Sequence, residues 1–431
     1  MSFSLFKLHP KIADSIKTLG YKTPTPIQMQ AIPPVLAGKD VMGLAQTGTG
    51  KTAAFVLPVL QRLLPRPRGK VRCLIVAPTR ELTQQLHVSI EELSNNTRLA
   101  SCAIHGGVGI NPQIQKLRAG VDIVVACPGR LLDHLKQKTI DLASLEILVI
   151  DEADRMFDMG FLPDVRRIIK QLPLRRQTLM FSATMPDDIR MLTDEVLRDP
   201  VTIKVGHTVP AGTVSHSLYP VEQHLKTELL MELLKHTHAG SILIFTRTKY
   251  RAKRVGQQLE KAGYKAASLQ GNLSQNKRQD ALDGFRNGSY RVLVATDIAA
   301  RGIDVLSISH VINYDIPDTI DAYTHRIGRT GRAAREGDAF TFVTGEDEPL
   351  IRKIEQVLGA KIERRMLKDF NYKKSRPAQD IEFARPAREP NRRGKQTRAG
   401  ATSRTGPKTG GAGRPGMIRN KARRTSTTEV A

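Results

Sequence analysis

Short apolar runs alternate with longer amphipathic segments from residue 41 to about residue 205. The longer segments carry apolar residues at helical spacing, and the short runs are rich in β-branched residues. A strand followed by a helix, repeated, predicts a parallel sheet with helices on both faces. The predicted strands lie in DVMGLA, VRCLIVAP, SCAIHG, DIVVACP, LEILVIDEA and QTLMFSAT.

A second series with the same alternation follows residue 213. Between the two series, Pro210 and Gly212 interrupt a stretch without periodicity, which indicates a linker. The pattern therefore predicts an α/β domain at 1–207, a linker at 208–213 and a second α/β domain at 214–369. The strands of the second domain are expected in VSHSLYPV, SILIFT, KAASLQ, RVLVATD, HVINYD and AFTFVT, with helices such as HLKTELLMELLKH between them.

The periodicity ends near residue 370. Residues 370–431 consist mostly of Arg, Lys, Gly, Pro, Thr and Ser, with 16 basic against 4 acidic residues. Such a segment buries too little apolar surface to offset the entropy of ordering, so we expect a disordered basic tail. It either keeps the protein in solution or tethers a polyanion, and composition leaves both open.

The formal net charge of the 431 residues is +25, and the isoelectric point is about 10.2. A polyanion suits such a surface, and nucleic acid is the leading candidate. Membrane association is not expected, because no apolar run approaches the roughly 20 residues that span a bilayer. The start lacks the pattern of a secretory signal, which predicts a cytoplasmic location. Cys73, Cys102 and Cys127 each lie in an apolar run and are expected to be reduced core residues.

The segment AQTGTGKT follows a predicted strand and precedes a helix, which is the context of a phosphate-binding loop. Glycines let backbone N–H groups turn toward phosphate oxygens, and the helix start favours an anion. Lys51 is expected to neutralise phosphate, and Thr52 to bind Mg²⁺ through its hydroxyl. Ala45 stands where the general pattern has Gly, and a chance glycine turn is the alternative. The candidate residues are Ala45, Gln46, Thr47, Gly48, Thr49, Gly50, Lys51 and Thr52.

The apolar run LEILVI leads directly into Asp151, Glu152, Ala153 and Asp154. Acidic residues at the carboxyl end of a parallel strand face the ligand crevice. Asp151 is therefore placed to hold Mg²⁺, and Glu152 to polarise the water that attacks the terminal phosphate. The alternative is a solvated strand end or a helix cap.

Together, AQTGTGKT and DEAD resemble the DEAD-box family of RNA helicases, which implies two RecA-like domains, ATP, Mg²⁺ and RNA. By this resemblance, GYKTPTPIQ at Gly20–Gln28 reads adenine, with Gln28 bonding the base and Phe3 stacking on it. The resemblance also assigns Ser182 and Thr184 to coupling hydrolysis to strand separation, through hydrogen bonds to the acidic loop that includes Asp154.

The second domain contains HRIGRTGR at residues 325–332, a cluster of basic residues that suits an anion. A solvated helix end is the alternative, although its glycines disfavour a plain helix. The resemblance implies that Arg329 and Arg332 reach the terminal phosphate of ATP and that His325 contacts the region of Ser182–Thr184. It also implies that Asp304, beside Gly302, binds the ribose hydroxyls.

The resemblance places an RNA face on both domains. Backbone amides and arginines there would hold phosphates without reading sequence. Cys127 replaces the usual Thr and Gln270 the more frequent His, which leaves their contacts open. The implied RNA-binding residues are Pro78, Thr79, Arg80, Gly106, Gly107, Pro128, Gly129, Arg130, Thr248, Gly271, Gln275, Arg278 and Thr296.

The implied function is RNA-stimulated ATP hydrolysis that separates short duplexes, and within the family the chain looks most like the bacterial RhlE type. A monomer is expected, and ribosome-assembly or RNA-decay proteins are candidate partners. An ATP-gated RNA clamp or annealing chaperone is the alternative of another class. A DNA translocase and a small-molecule phosphotransferase are further alternatives, and Gln28 and the basic cluster disfavour the phosphotransferase.

Overall fold

The computed structural model describes residues 2–46, 48–65, 69–205, 214–237, 240–300, 308–331 and 337–375. Several predicted features fall outside these ranges. They are Thr47, Gly302, Asp304, Arg332, the linker at 208–213 and residues 376–431.

The first lobe is built on a seven-stranded sheet in which every strand pair is parallel. Its strands are β1 (Val41–Leu44), β2 (Cys73–Val76), β3 (Ser101–Ile104), β4 (Ile123–Ala126), β5 (Ile147–Ile150), β6 (Gln177–Ser182) and β7 (Val201–Lys204). Their order across the sheet is β3-β4-β2-β5-β6-β1-β7.

Nine helices accompany these strands in the described part of the first lobe. They are α1 (Pro10–Thr18), α2 (Pro26–Leu36), α3 (Lys51–Leu63), α4 (Arg80–Ser94), α5 (Asn111–Arg118), α6 (Pro128–Lys136), α7 (Ala153–Asp158), α8 (Leu162–Ile169) and α9 (Asp187–Val196), and a short 3₁₀ helix spans Phe3–Phe6. Alternate residues of the central strands enter two separate apolar clusters, with Ile75 in one and Leu74 in the other. Both faces of the sheet are therefore buried, as continuous apolar runs predict.

The second lobe repeats this plan in residues 214–375. Its strands are β8 (Val214–Pro220), β9 (Ser241–Phe245), β10 (Ala266–Leu269), β11 (Val292–Ala295), β12 (Ile308–Asn313), β13 (Gly337–Val343) and β14 (Glu363–Arg364), in the order β10-β11-β9-β12-β13-β8-β14. Its helices are α10 (Lys226–His236), α11 (Lys249–Lys261), α12 (Gln275–Arg286), α13 (Asp297–Ala300), α14 (Ile320–Ile327) and α15 (Glu348–Leu358). The two orders match strand for strand, which confirms the predicted tandem α/β architecture.

The second lobe continues beyond its last strand. Phe370 and Tyr372 pack against the core of this lobe, with their rings edge to face at a centroid distance of 4.8 Å. Lys374 Nζ lies 2.7 Å from a carboxylate oxygen of Glu228 on α10. The prediction that the disordered tail begins at residue 370 is therefore wrong for residues 370–375, because two aromatic side chains in that stretch have apolar surface to bury.

The three cysteines are free, and Cys73 and Cys102 are fully buried. Burial raises the pKa of the Cys102 thiol to about 12 and that of Cys127 to about 11. Thiols with such values remain protonated. Cys73 and Cys102 are core residues as predicted, whereas Cys127 is only partly buried. No helix in the described ranges has the combination of length and apolarity needed to cross a bilayer.

Candidate nucleotide and RNA site

The phosphate-binding loop connects β1 to α3, which begins at Lys51. Gly48 and Gly50 have φ angles of 86° and 91°, a left-handed conformation that favours glycine. The Lys51 side chain is buried, and its Nζ has no hydrogen-bond partner in the described chain. A buried ammonium group without a hydrogen bond is unfavourable until an anion reaches it. This environment fits a phosphate group placed at the start of α3.

Gln28 is buried and connects the predicted adenine-reading segment to this loop. Its Oε1 accepts a hydrogen bond from the Thr25 backbone N–H at 2.9 Å, and its Nε2 donates to the Gly50 carbonyl at 3.0 Å. The φ angle of Gly50 favours glycine, and a Cβ there would lie 2.5 Å from this Nε2, so the Gln28 amide would have to shift. Base recognition by Gln28 stays a prediction.

Phe3 is buried in the first lobe rather than frayed at the chain end. Its ring lies edge to face against Phe6 and against Tyr21, each at a centroid distance of 6.0 Å. The aromatic residue is thus held beside the segment that starts at Gly20. Its stacking on adenine stays a prediction.

The acidic loop begins immediately after β5. Glu152 adopts a left-handed backbone conformation with φ 54° and ψ 52°, which is unusual for a residue other than glycine and often occurs at functional sites. Burial raises the pKa of Asp151, and the charge of Glu152 raises it further. The nearby Lys51 ammonium group lowers it, and the resulting pKa of Asp151 is about 7. Glu152 accepts a hydrogen bond from the Arg155 guanidinium at 2.5 Å. The loop therefore holds two buried carboxyl groups beside one buried lysine.

Asp154 joins this loop to the predicted coupling segment. Its Oδ2 accepts hydrogen bonds from the backbone N–H groups of Ala183 and Thr184 at 3.2 and 3.1 Å. Ser182 Oγ accepts a hydrogen bond from the Asp154 N–H at 3.2 Å. The hydrogen bonds expected between the acidic loop and Ser182–Thr184 are thus present, and the role of these residues in coupling stays a prediction.

A crevice between the lobes brings the second basic cluster to this site. It is lined by Arg155 from the first lobe and by His325, Arg326 and Arg329 from the second. Burial raises the pKa of Asp154, but Lys51, His325 and Arg155 outweigh burial and hold that pKa below its usual value. The predicted catalytic residues His325 and Arg329 therefore lie where the two lobes meet.

Two arginines that the sequence did not single out organise the crevice. Arg326 is buried and makes paired hydrogen bonds to the Asp297 carboxylate at 2.6 and 2.7 Å. Its guanidinium also lies 5.0 Å from the centre of the Phe245 ring. Arg155 holds Glu152 as described above. Their positions within HRIGRTGR and directly after DEAD were the signals available in the sequence.

The predicted RNA-binding residues of the two lobes contact one another. Arg80 Nη1 donates to Gln275 Oε1 at 3.3 Å, and Arg278 pairs with Glu81 through Nε at 2.8 Å and Nη2 at 2.7 Å. Glu81 was not predicted as a site residue, although its acidic side chain stands out among the basic RNA positions. A Cβ at Gly107 would lie 2.0 Å from the Arg80 guanidinium, so this glycine provides the space that Arg80 occupies.

Most other predicted RNA positions lie at helix starts or in open turns. Thr79 and Thr248 are N-caps whose side chains each accept a backbone N–H at 3.2 Å. The remaining positions are Pro78, Gly106, Pro128 at the start of α6, Gly129, Arg130 bonded to the Val108 carbonyl, Gly271 and half-buried Thr296. RNA binding by all of these residues stays a prediction.

The two departures from the family pattern have local partners. Cys127 Sγ lies 3.1 Å from Thr83 Oγ1, where the expected hydroxyl is replaced by a thiol. Gln270 is buried, and its Oε1 accepts the Asn272 N–H at 2.7 Å. Both side chains therefore stabilise the loops that carry the predicted RNA contacts.

Two family models match the chain in succession. The DEAD/DEAH box helicase model matches residues 25–192, and the helicase conserved C-terminal domain matches residues 225–334. The matches cover the phosphate loop and acidic loop in the first case and the basic cluster in the second.

Curated relatives and solved structures agree with these matches. The chain is 42% identical over 355 residues to the ATP-dependent RNA helicase CshA of Listeria monocytogenes, covering 82% of this chain and 68% of the relative. It is 39% identical over 365 residues to CshA of Bacillus licheniformis, covering 84% and 75%. Its fold resembles S. cerevisiae Dbp5 bound to RNA and ADP BeF3, with a TM-score of 0.76, 30% identity, and coverage of 84% and 95%. The chain therefore belongs to the DEAD-box family of ATP-dependent RNA helicases.

Proposed function

We propose that this protein hydrolyses ATP when RNA holds its two lobes together, and that each cycle separates or remodels a short RNA duplex. The observation that carries the proposal is the crevice lined by Arg155 of the first lobe and by His325, Arg326 and Arg329 of the second. A nucleotide at Lys51 thus contacts a site that only both lobes can complete.

The first lobe supplies the groups for nucleotide phosphates and for Mg²⁺. Lys51 offers a buried ammonium group to the phosphates, and Thr52 and Asp151 offer hydroxyl and carboxylate oxygens, the ligands that Mg²⁺ prefers. Mg²⁺ bound at these two residues would complete its coordination with phosphate oxygens and water. When bound, Mg²⁺ neutralises the charge that develops on those oxygens.

Glu152 and the basic cluster have different roles in ATP hydrolysis. The Glu152 carboxylate orients the attacking water and accepts its proton, and Arg155 fixes that carboxylate in place. Arg329, with Arg332, stabilises the charge of the transition state from the second lobe. Arginines in this role contribute about 10³ to 10⁵ in rate, or roughly 4 to 7 kcal/mol of barrier.

The RNA face supports the same closed arrangement. Arg80, Gln275 and Arg278 lie around Glu81 at the junction of the lobes, so a strand that lies across both lobes favours their closure. By linkage, RNA and ATP then promote each other's binding. The relative of known structure named above was solved with RNA and ADP BeF3, which supports RNA as the ligand of this face.

The proposal extends to the biological setting of this activity. We place the protein in the cytoplasm as a monomer of the RhlE-like type, with a basic tail that raises the local RNA concentration. Ribosome-assembly or RNA-decay proteins are its candidate partners.

Parallel assays of ATP hydrolysis and strand separation test this proposal. Single-stranded RNA and DNA of matched length are compared as activators, and a short RNA duplex with a labelled strand reports unwinding. We expect RNA to stimulate hydrolysis at least tenfold more than DNA and the duplex to separate only with ATP. Stronger stimulation by DNA would indicate a translocase, and hydrolysis without strand release would indicate a clamp.

A further inference from the structure

The second lobe contains a counterpart of the phosphate-binding corner of the first. Because the sheets share one strand order, β8 corresponds to β1, α10 to α3 and β12 to β5. Helix α3 begins with Lys51 and Thr52, and α10 begins with Lys226 and Thr227. The corner of the first lobe is completed by Asp151, the first residue after β5, and Asp315 is the second residue after β12.

Lys226 is buried as deeply as Lys51. Its residue is 2% exposed, and its Nζ makes no hydrogen bond within the described ranges. The nearest carboxylate oxygen, Asp315 Oδ1, is 3.8 Å away and already accepts a 2.6 Å hydrogen bond from Arg251. Burial lowers the pKa of Lys226, and Asp315 and Asp347 oppose that shift. The ammonium group therefore lacks a strong partner of its own.

A cavity of about 630 Å³ opens beside Lys226, within the size range of small-molecule sites. One wall carries the positive charges of Lys226, Arg247 and Arg251. Helix α10 begins at this wall, and α11 begins next to it with Thr248 as its N-cap. Both helices have at least eleven residues and direct the positive ends of their dipoles here.

The cavity lining also includes acidic side chains, which restricts the class of ligand that it can bind. Glu222 and Glu346 face the cavity, and Asp347 does so while accepting hydrogen bonds from the Thr344 N–H and hydroxyl at 2.8 and 2.9 Å. With Asp315 included, four carboxylates oppose three cations, so a bare polyanion is disfavoured. A suitable ligand has a phosphate at one end and hydroxyl or amino donors at the other.

We propose that this cavity binds a nucleoside phosphate, with its phosphate at Lys226 and Arg251 and its ribose or base donors at Glu222 and Glu346. The site differs from the ATP site in lacking glycines in the loop between β8 and α10, residues 221–225. The backbone there cannot wrap a triphosphate, and the lysine and the helix dipoles provide the anchor instead. A ligand bound here contacts α11, whose cap Thr248 is a predicted RNA contact.

Isothermal titration of the full chain with GDP tests the proposal. The titration uses Lys51→Met protein, whose ATP site lacks its phosphate anchor, so any GDP binding that remains reports a second site. We expect one additional saturable site. Lys226→Met should weaken this binding at least tenfold, Glu346→Gln by a smaller factor, and Lys226→Arg should retain most of it.

Lys235→Met is the matched control, because Lys235 is an exposed lysine on the same helix, paired with Glu232 at 2.8 Å. It should leave GDP binding unchanged. Thermal unfolding establishes that each variant is folded, and RNA-stimulated ATP hydrolysis of the same replacements with Lys51 intact establishes that the ATP site is unaffected. The proposal is overturned if Lys51→Met protein shows no saturable GDP binding, or if adding Lys226→Met and adding Lys235→Met leave that binding equal in folded protein.

Discussion

At the scale of single residues, the ATP site keeps charged groups buried without full compensation. Lys51 has no hydrogen bond at its ammonium group in the described chain, and the Asp151 carboxyl has a pKa raised to about 7. Each arrangement lowers the stability of the empty protein and favours a ligand that supplies the missing charge. Such groups cluster at functional sites for this reason.

Replacing Glu152 with Gln tests the proposed role of Glu152 as the general base for the attacking water. The amide keeps the size of the side chain but cannot accept a proton, so RNA-stimulated ATP hydrolysis should fall by about 10² to 10⁴ while ATP and RNA affinities stay within a few-fold. Steady-state hydrolysis and fluorescence anisotropy measure the two effects. Glu195→Gln, at an exposed ion pair with Arg166, is the control. Hydrolysis near the wild-type rate would reject this role for Glu152.

Asp151 should make the empty protein less stable as pH rises. Its folded pKa of about 7 exceeds its ordinary value of 3.8, so the folded state holds a proton that the unfolded chain releases. The contribution of Asp151 to the free energy of unfolding is therefore fully present below about pH 4. It decreases by on the order of 1.4 kcal/mol per pH unit as the pH is raised from 4 to 7.

Urea unfolding without nucleotide, at pH 5 and pH 7.5, measures this effect. Asp151→Asn cannot titrate at this position, so the variant should lose less stability than the wild type over the same interval. Equal losses in the two proteins would show that Asp151 does not titrate in this window.

At the scale of elements, α4 and α12 join the two lobes. The ion pair of Glu81 with Arg278 connects residues 197 positions apart in the chain and is largely buried. Buried pairs of this kind are costly to break one side at a time, because the remaining charge stays desolvated. The closed arrangement of the lobes should depend on this contact.

Single replacements Glu81→Gln and Arg278→Gln should each lower RNA-stimulated hydrolysis by about tenfold or more, since each leaves a charge without its partner. The double replacement should cost no more than the worse single one, which a double-mutant cycle detects. Arg286→Gln, at an exposed pair on the same helix, should have little effect. Additive losses would show that the two residues act separately.

The same contact marks a limit of prediction from sequence. The apolar runs predicted the central strands, and the motif spacing predicted that the DEAD acids follow β5, because these features depend on local pattern. The Glu81–Arg278 pair depends on how two lobes meet, which no periodicity encodes. Strands β7 and β14 were missed because β7 buries only Ile203 fully and both β14 residues are exposed, so neither has an apolar signature.

At the scale of the whole molecule, the second lobe and the basic tail that follows it have separable roles. Residues 376–431 carry 14 basic and 4 acidic residues, whereas residues 370–375 belong to the packed second lobe. Removing residues 376–431 should therefore change RNA binding, and removing residues 370–375 should change the stability of the fold.

Two truncations separate these roles. Ending the chain after residue 375 should weaken RNA affinity and flatten its dependence on salt, because fewer counterions are released, while the melting temperature and RNA-saturated hydrolysis are retained. Ending it after residue 369 should also lower the melting temperature by a few degrees, through lost packing of Phe370 and Tyr372. If the salt dependence of RNA affinity is unchanged without residues 376–431, the tail serves solubility instead of RNA binding. If the two truncated proteins have equal melting temperatures, residues 370–375 do not contribute to the stability of the second lobe.

The hydrogen bonds of Gln28 orient its amide but use only half of its capacity within the described residues. Its Oε1 accepts one hydrogen bond, from Thr25, and its Nε2 donates one, to Gly50, although such an amide can accept two and donate two. The remaining positions are one acceptor beside one donor. If Gln28 binds the base as predicted, a purine edge with the complementary donor and acceptor is favoured, whereas a reversed edge leaves buried polar groups unsatisfied at about 1 to 3 kcal/mol each.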